Sequence, residues 1–381
     1  MVSYKIENIK TYVLRYKVPP SQRVGYADGW LKERSALIVQ IILNNGLIGI
    51  GETCNEPPEA SEVIIQKICK PLLIGADPFD IELIWQKLYN TISHDGRRAS
   101  SIASISGIDI ALWDLMGKIL DLPIYKLIGG LCRDKIPAYA SHIYIKPNQN
   151  VQKEAEDLVE KGFKAIKIKV GLSIEEDSER IARVRKTVGN DIKIMIDANG
   201  TLNSTDAIKL GRELEKYNIE WFEEPLPPDD IDGYLEVKRS IKIPIAAGES
   251  EFNRYRFKEI ISRRAVDIVQ PDVCIAAGIS ECKNIAKMAN AWNIKCIPHC
   301  WNSAVGVAAT LHFMASIPNF PPTLYPKPMF FEYETSPNPL REELLEENIL
   351  ELEDGFIKVP KGPGLGINIK KQVLEKYSQN Y

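Results

Sequence analysis

Apolar residues recur along this chain with two different periods. MVSYKIENIKTYVLRYKV alternates polar and apolar residues, as a strand with one buried face does. In SALIVQIILNNGLIGIGE two apolar runs flank Asn45-Gly46, which predicts a hairpin. From about residue 59 to 128 the period lengthens to that of helices. One helix starts near Glu59, and a second, near Asp80, carries Ile81, Ile84, Trp85 and Leu88 on one face. A third, SISGIDIALWDLMGKIL, aligns Ile105, Ile108, Leu112, Leu115 and Ile119. Pro71, Pro78 and Pro123 separate these elements, so a small sheet followed by helices is expected.

After Gly129-Gly130 short β-rich runs alternate with helical stretches. The runs are 136–145, 165–170, 192–197, 219–224, 243–249, 266–272, 293–299 and 330–333. From the second to the seventh they recur about every 25 residues, room for one strand, one helix and two short loops. Eight such units close as a (β/α)₈ barrel. A doubly wound open sheet would need fewer strands and a switch in strand order. The tail, ELEDGFIKVPKGPGLGINIKKQVLEKY, predicts two short strands, a Gly/Pro turn and a helix folding back on the N-terminal region. Its KGPGLG is not in the strand–turn–helix order of a dinucleotide fingerprint, and no phosphate-binding GxxxxGKS/T occurs.

Composition narrows the partners. The 381 residues are 45% hydrophobic and 26% charged, with 48 basic residues against 51 acidic. No basic block points to nucleic acid, and no apolar run is long enough to span a membrane. The N-terminus has no signal-like apolar core. Seven cysteines form no CxxC pair, so free thiols in a reducing, cytoplasmic setting are expected.

Charge interrupts the apolar barrel strands at their C-terminal ends, where barrels carry their chemistry. Lys167 and Lys169, Asp197, Glu223, Glu249, Asp272 and His299 lie on six successive runs, and Glu332 on the eighth. Asp197, Glu223 and Glu249 fall at intervals of 26 residues, on neighbouring strands. Three carboxylates at similar heights repel one another, and a divalent cation with oxygen ligands, Mg²⁺ or alternatively Mn²⁺, resolves the conflict. Glu224 follows Glu223 and must face the other way, as a surface or loop residue. Lys167 and Lys169 share one strand face, and near a cation both pKa values should fall. Lys169, nearer the mouth, is then the general base, with Lys167 neutralising a substrate oxygen or tuning Lys169. Asp272 beside His299 makes a second acid–base unit. His312 reads as a core histidine. A cation flanked by two bases suits removal of a proton next to a carboxylate, and a protonated Glu332 would donate to a substrate oxygen. Loops near 19–30 and 93–99, with Arg23, Tyr26, Arg97 and Arg98, are candidates to close over the mouth, and Trp301 and Asn302 to line it.

Taken together, ISGIDIALWDLMGKILDLPIYKLIGG, IKIKVG, MIDANG, WFEEPL, AAGES, VQPDVC, IPHCWNSAVG and FFEY resemble the mandelate racemase subgroup of the enolase superfamily over nearly the whole chain. The resemblance implies an α/β fold, a TIM-type (β/α)₇β barrel at 131–340. It also implies an α+β capping domain made by residues 1–130 and the returning segment 341–381. It implies Mg²⁺ on Asp197, Glu223 and Glu249, Lys169 with Lys167 as one base, and His299 with Asp272 as the other. Glu332 matches the acid that hydrogen-bonds the substrate carboxylate. QPDVCIAAG lacks the lysine of the muconate-lactonising subgroup. The implied reaction is dehydration of a sugar acid, a small-molecule carboxylate, to a 2-keto-3-deoxy acid. Cycloisomerisation of an aldarate lactone or anhydro sugar acid and racemisation or epimerisation of a 2-hydroxy acid stand as alternatives. A non-catalytic binding or scaffold protein is the alternative of another class. The resemblance also implies a homo-oligomer, a dimer or octamer.

Overall fold

The computed structural model describes residues 3–27, 29–54, 57–94 and 96–378. Strands Ile6–Lys17, Glu33–Leu43 and Ile48–Thr53 form an antiparallel sheet with the middle strand in the centre. Asn45-Gly46 makes the predicted turn, with Gly46 at φ +83. Helix Ser100–Leu120 lies across this sheet. Alternation puts Gly49 and Gly51 on one strand face, and there the helix backbone comes very close. A Cβ on Gly51 would meet the Gly107 carbonyl oxygen at 2.0 Å, and one on Gly49 would meet that of Ala111 at 2.3 Å. The predicted apolar stripe is buried, with Ile105, Ile108, Leu112 and Leu115 against Leu37, Val39 and Ile41. Helix Ile81–Ile92 closes the same core through Ile81, Ile84, Trp85 and Leu88.

The eight predicted barrel strands are present: Lys135–Ile143, Ala165–Lys169, Lys193–Asp197, Ile219–Glu223, Ile245–Ala247, Ile268–Val269, Lys295–Cys296 and Phe331–Glu334. The first seven form a continuous parallel ladder, and the eighth pairs back onto the first, Phe331 opposite Ala138. The strand order runs 8-1-2-3-4-5-6-7 without a reversal, which excludes the doubly wound sheet, and residues from all eight strands or their edges meet in one interior cluster, as in a barrel. Seven helices of nine to fifteen residues lie between consecutive strands. The eighth strand is followed only by the four-residue turn of helix Pro339–Glu342. The barrel is therefore (β/α)₇β, which corrects the eight-unit reading drawn from spacing alone. The last run is a strand whose chain must leave the barrel.

Strands five to seven are shorter than the apolar runs suggest. Glu249, Asp272 and His299 sit two or three residues past them, in loops. Gly248, at φ +138, and the prolines Pro271 and Pro298, which lack an N–H, end the pairing early. In the tail, Phe356–Lys358 pairs antiparallel with the start of the first barrel strand, and helix Lys371–Ser378 packs on Ile6–Lys17. The tail thus touches barrel as well as cap. Among the described residues no helix is long and apolar enough to cross a membrane.

Candidate active site

One residue from each barrel strand or its edge forms a buried floor: Tyr139, Ala165, Met195, Trp221, Ala246, Ile268, Ile297 and Phe330. Strand alternation then sends the next inward residues to the level above. These are Lys167 and Lys169 over Ala165, Asp197 over Met195, and Glu223 over Trp221. Ile166, Ile168, Ile194, Ile196 and Phe222 face the helices and pack in the outer core. The parallel register places Lys169 opposite Asp197, and Asp197 opposite Glu223. Apolar strands of this register thus carry a row of charge at one height.

Asp197, Glu223 and Glu249 each offer a carboxylate oxygen, all within 4.8 Å of one another. The lysines balance part of this charge. Lys167 Nζ is 2.6 Å from Glu223, 2.6 Å from Glu332 and 3.4 Å from Asp197, while Lys169 Nζ is 2.5 Å from Asp197. Glu249 Oε2 is buried with no hydrogen-bond partner. An all-carboxylate donor set with an unsatisfied oxygen fits a hard divalent cation. Trp221 Nε1 donates to Glu223 at 2.9 Å and the Asn199 N–H to Asp197 at 2.9 Å, which fixes both carboxylates. Across the mouth, His299 Nδ1 lies 2.8 Å from Asp272 Oδ2. Its Nε2 is 3.7 Å from Glu249 and 3.9 Å from Glu332. Asp272 is held in turn by the Cys274 N–H and the Asn302 amide.

Two sequence expectations change here, for Glu332 and Glu224, and the lysines are seen without the cation. Burial alone would lower the pKa of Lys167, but Glu223, Glu332, Tyr139 and Asp197 together raise it well above the usual value; Lys169 is also raised, chiefly by Asp197. With the protein groups alone the lysines are held as ammonium ions, and the fall expected near a cation concerns the site with its ion bound. Burial pushes Glu332 up, but Lys167 and His299 outweigh it and bring the acid down to about 2. Glu332 is thus a carboxylate that accepts the Cys300 N–H at 3.2 Å, and not a protonated donor. Glu224 lies in the loop after the strand, one of its two expected placements, but is buried there and not at the surface, with φ +35. Burial, then Glu249 and Asp197, raise its pKa well above the carboxylate range. Alternation turned Glu224 away from Glu223, but Pro225 ends the strand and the left-handed backbone folds Glu224 back beside the acids. His299, which burial would lower, is raised to about 10 by Glu249, Glu332 and Asp272. Burial likewise raises Glu223 to about 7, against the pull of Lys167.

A cavity of about 270 Å³ opens above this row. Lys169, Glu249, His299 and Glu332 line it from the barrel, Tyr26 and Arg34 from the N-terminal region, and Trp301 and Asn302 as expected. Arg23, Arg97 and Arg98 do not line it: Arg98 pairs with Asp229 at 2.8 Å, Arg97 binds the Ser93 carbonyl and Arg23 that of Val18. Asp28 and Asp95, within the two proposed closing loops, lie outside the described residues. His312 is a core residue bonded to the Leu365 carbonyl. Sequence reasoning missed Trp221, Asn199, Arg34 and Glu52. Glu52 is fully buried on a capping strand and accepts from the backbone of Ser303 and Gly306, which seats the segment after His299. Its one signal was a lone acid ending the apolar run GLIGIGE.

Residues 9–129 match the mandelate racemase/muconate lactonizing enzyme N-terminal domain, and residues 150–373 match the enolase C-terminal domain-like model. The chain belongs to the mandelate racemase subgroup of the enolase superfamily. Within that family it is 39% identical over 382 residues to an arabinonate dehydratase of Saccharolobus solfataricus, covering 98% of this chain and 99% of the relative. It is 37% identical over 377 residues to a D-galactarolactone cycloisomerase of Agrobacterium fabrum, covering 98% of each. The crystal structure of a 3,6-anhydro-D-galactonate cycloisomerase from Zobellia galactanivorans superposes with a TM-score of 0.86 at 35% identity, over 98% of this chain and 99% of that one. A (β/α)₇β barrel with an N-terminal cap is the architecture of this enolase-superfamily enzyme.

Proposed function

We propose that the protein is a Mg²⁺-dependent sugar-acid dehydratase that removes the α-proton and expels the β-hydroxyl as water, leaving a 2-keto-3-deoxy acid. The observation that carries this reading is the pairing of two unlike groups around one cavity, Lys169 on the second strand and His299 after the seventh. Asp197, Glu223 and Glu249 would hold the Mg²⁺, or Mn²⁺. Bound there, the ion supplies Lewis-acid stabilisation of the negative charge that grows on the substrate carboxylate as its α-carbon loses a proton.

Lys169 Nζ is the proposed base, and Asp197, 2.5 Å away, is what keeps it protonated. Engaging Asp197 with another cation loosens that hold and lowers the lysine toward a working base. Lys167, wedged between Glu223 and Glu332, is a fixed positive charge beneath the substrate carboxylate. Glu332, an ionised acceptor, orients Lys167 and His299. A histidine raised to about 10 is an imidazolium at neutral pH, suited to donate a proton to the departing hydroxyl. Racemisation would use the same base and acid on opposite faces of the α-carbon, and the dehydratase relatives are what favour elimination. Ring opening of a lactone or ether uses the same base and acid, and cycloisomerase relatives at 37% and 35% identity make it the second reading. Seven free cysteines support the cytoplasmic reading, and family membership supports a dimer or octamer.

The test is incubation with sugar acids and Mg²⁺ in D₂O, followed by NMR. A 2-keto-3-deoxy product supports the dehydratase, and a ring-opened isomer supports the second reading. Deuterium at the α-carbon without water loss would make it a racemase. No exchange on any substrate would leave a binding protein.

A further inference from the structure

We infer that the end of the cavity away from the reacting groups is built for a neutral hydroxyl, so the substrate is a sugar acid with a single carboxylate and not a dicarboxylic one. This rests on the α-proton chemistry proposed above and specifies its substrate class.

The charge on the cavity wall carries the inference. Lys169, Glu249, His299 and Glu332 belong to the reacting centre, which leaves Glu33 and Arg34 as the other charged lining residues. Neither leaves a free positive charge. Glu33 shares Arg15 with Glu59, and Arg34 Nη2 lies 3.1 Å from Glu334 Oε2, with both side chains of the latter pair almost fully buried. Glu334 also faces Arg341 at 3.4 Å, and Arg341 has a second acid, Glu342, at 2.8 Å. Two guanidiniums thus meet two carboxylates. A distal substrate carboxylate would have to leave water for a wall that, among the described residues, has no uncompensated cation outside the reacting centre, which is costly. The internal positions outside the described residues are Asp28, Asn55, Glu56 and Asp95, so their side chains supply no cation either.

The same wall offers neutral hydrogen-bonding groups. Arg34 spends Nε on the Pro337 carbonyl and Nη2 on Ser336 and Glu334, while Nη1 has no hydrogen-bond partner among the described residues. The guanidinium stacks over the Trp301 ring at 4.9 Å, which fixes its plane. Asn338 also lines the cavity, is nearly fully buried, and its Oδ1 has no partner. A donor on Arg34 and an amide acceptor on Asn338 suit a hydroxyl, which both accepts and donates. A carboxylate would meet hydrogen-bond donors there, but no cation free of a carboxylate of its own. A cavity of about 270 Å³ is small, in keeping with a short sugar chain.

The experiment compares matched pairs with Mg²⁺: D-galactonate against galactarate, and D-gluconate against D-glucarate. The expected result is a kcat/KM for the better monoacid at least about 100-fold above its diacid. Arg34→Gln should raise KM for that monoacid about tenfold and leave kcat within about threefold, the split of a residue that binds but does not react. Asn338→Ala, which disturbs no buried ion pair, should raise KM similarly, so the subsite is tested even if Arg34→Gln does not fold. A diacid turned over as well as its matched monoacid, or an unchanged KM in Asn338→Ala, overturns the assignment while leaving the α-proton chemistry intact. Absence of α-deuterium exchange across both pairs and across the wider set of sugar acids used above overturns the chemistry and the assignment with it.

Discussion

Asp272→Asn removes one charge from the His299 site while keeping its shape, and its effect can be sized from the contacts. Burial lowers the His299 pKa, and Glu249, Glu332 and Asp272 together carry it from 6.5 to about 10. Taking away one of three carboxylates should lower it by roughly one unit, or about 1.4 kcal/mol. The 2.8 Å contact to His299 changes from an ion pair to a hydrogen bond between an imidazolium and a neutral amide, which is part of the same loss. The Cys274 N–H and Asn302 amide can still hold one asparagine oxygen, so the fold should survive. The loss of about 1.4 kcal/mol in holding the imidazolium, which already counts this contact, corresponds to a fall of about tenfold in turnover. The assay is the pH profile of dehydration on the best sugar acid, beside the rate of α-deuterium exchange. Dehydration should fall more than exchange, because the acid is needed for water loss, and the alkaline limb should move to lower pH. A variant within threefold of the parent, with an unmoved alkaline limb, refutes the role given to the Asp272–His299 pair.

Other outcomes follow from the same geometry. Lys169→Met should reduce α-proton exchange by at least about 1,000-fold while Mg²⁺ binding, read by calorimetry, is kept or tightened, because the ammonium that competes for Asp197 is gone. Glu332 is held near 2, below its unfolded value of 4.5, so it stabilises the metal-free fold above pH 4.5 and loses that contribution as pH falls toward 2. The stability gap between the parent and Glu332→Gln in denaturant titrations should therefore narrow across that window. Gly51→Ala places a Cβ 2.0 Å from the Gly107 carbonyl and should cost about 3 kcal/mol in thermal or denaturant unfolding, while Gly29→Ala, with open space around it, should cost little.

The apolar periods made the barrel and the charged row readable, because each inward strand position alternates with a helix-facing one. Lys167, Lys169, Asp197 and Glu223 are such positions, and the structure brings them to one level. Glu249, Asp272 and His299 were found for a looser reason, since they follow apolar runs but sit in the loops beyond them. Alternation failed at Glu224, where a positive φ breaks the rule. Protonation states were illegible because they depend on how many opposite charges surround a group. Lys167 has three carboxylates within 3.4 Å, and no spacing argument counts them. Contacts across the cap were hidden as well. Arg34 meets Glu334 and Glu52 meets Ser303, separated by hundreds of residues, and neither pair carries a local motif.

The account stands on three acids sharing one divalent ion between Lys169 and His299. The direct test is a crystal soaked in MnCl₂ and examined by anomalous scattering. The account predicts one strong peak bonded to an oxygen from each of Asp197, Glu223 and Glu249, with Lys169 and His299 facing it from two sides of the cavity. A map with no peak among those three carboxylates, their oxygens still taken by the two ammonium groups, would contradict it.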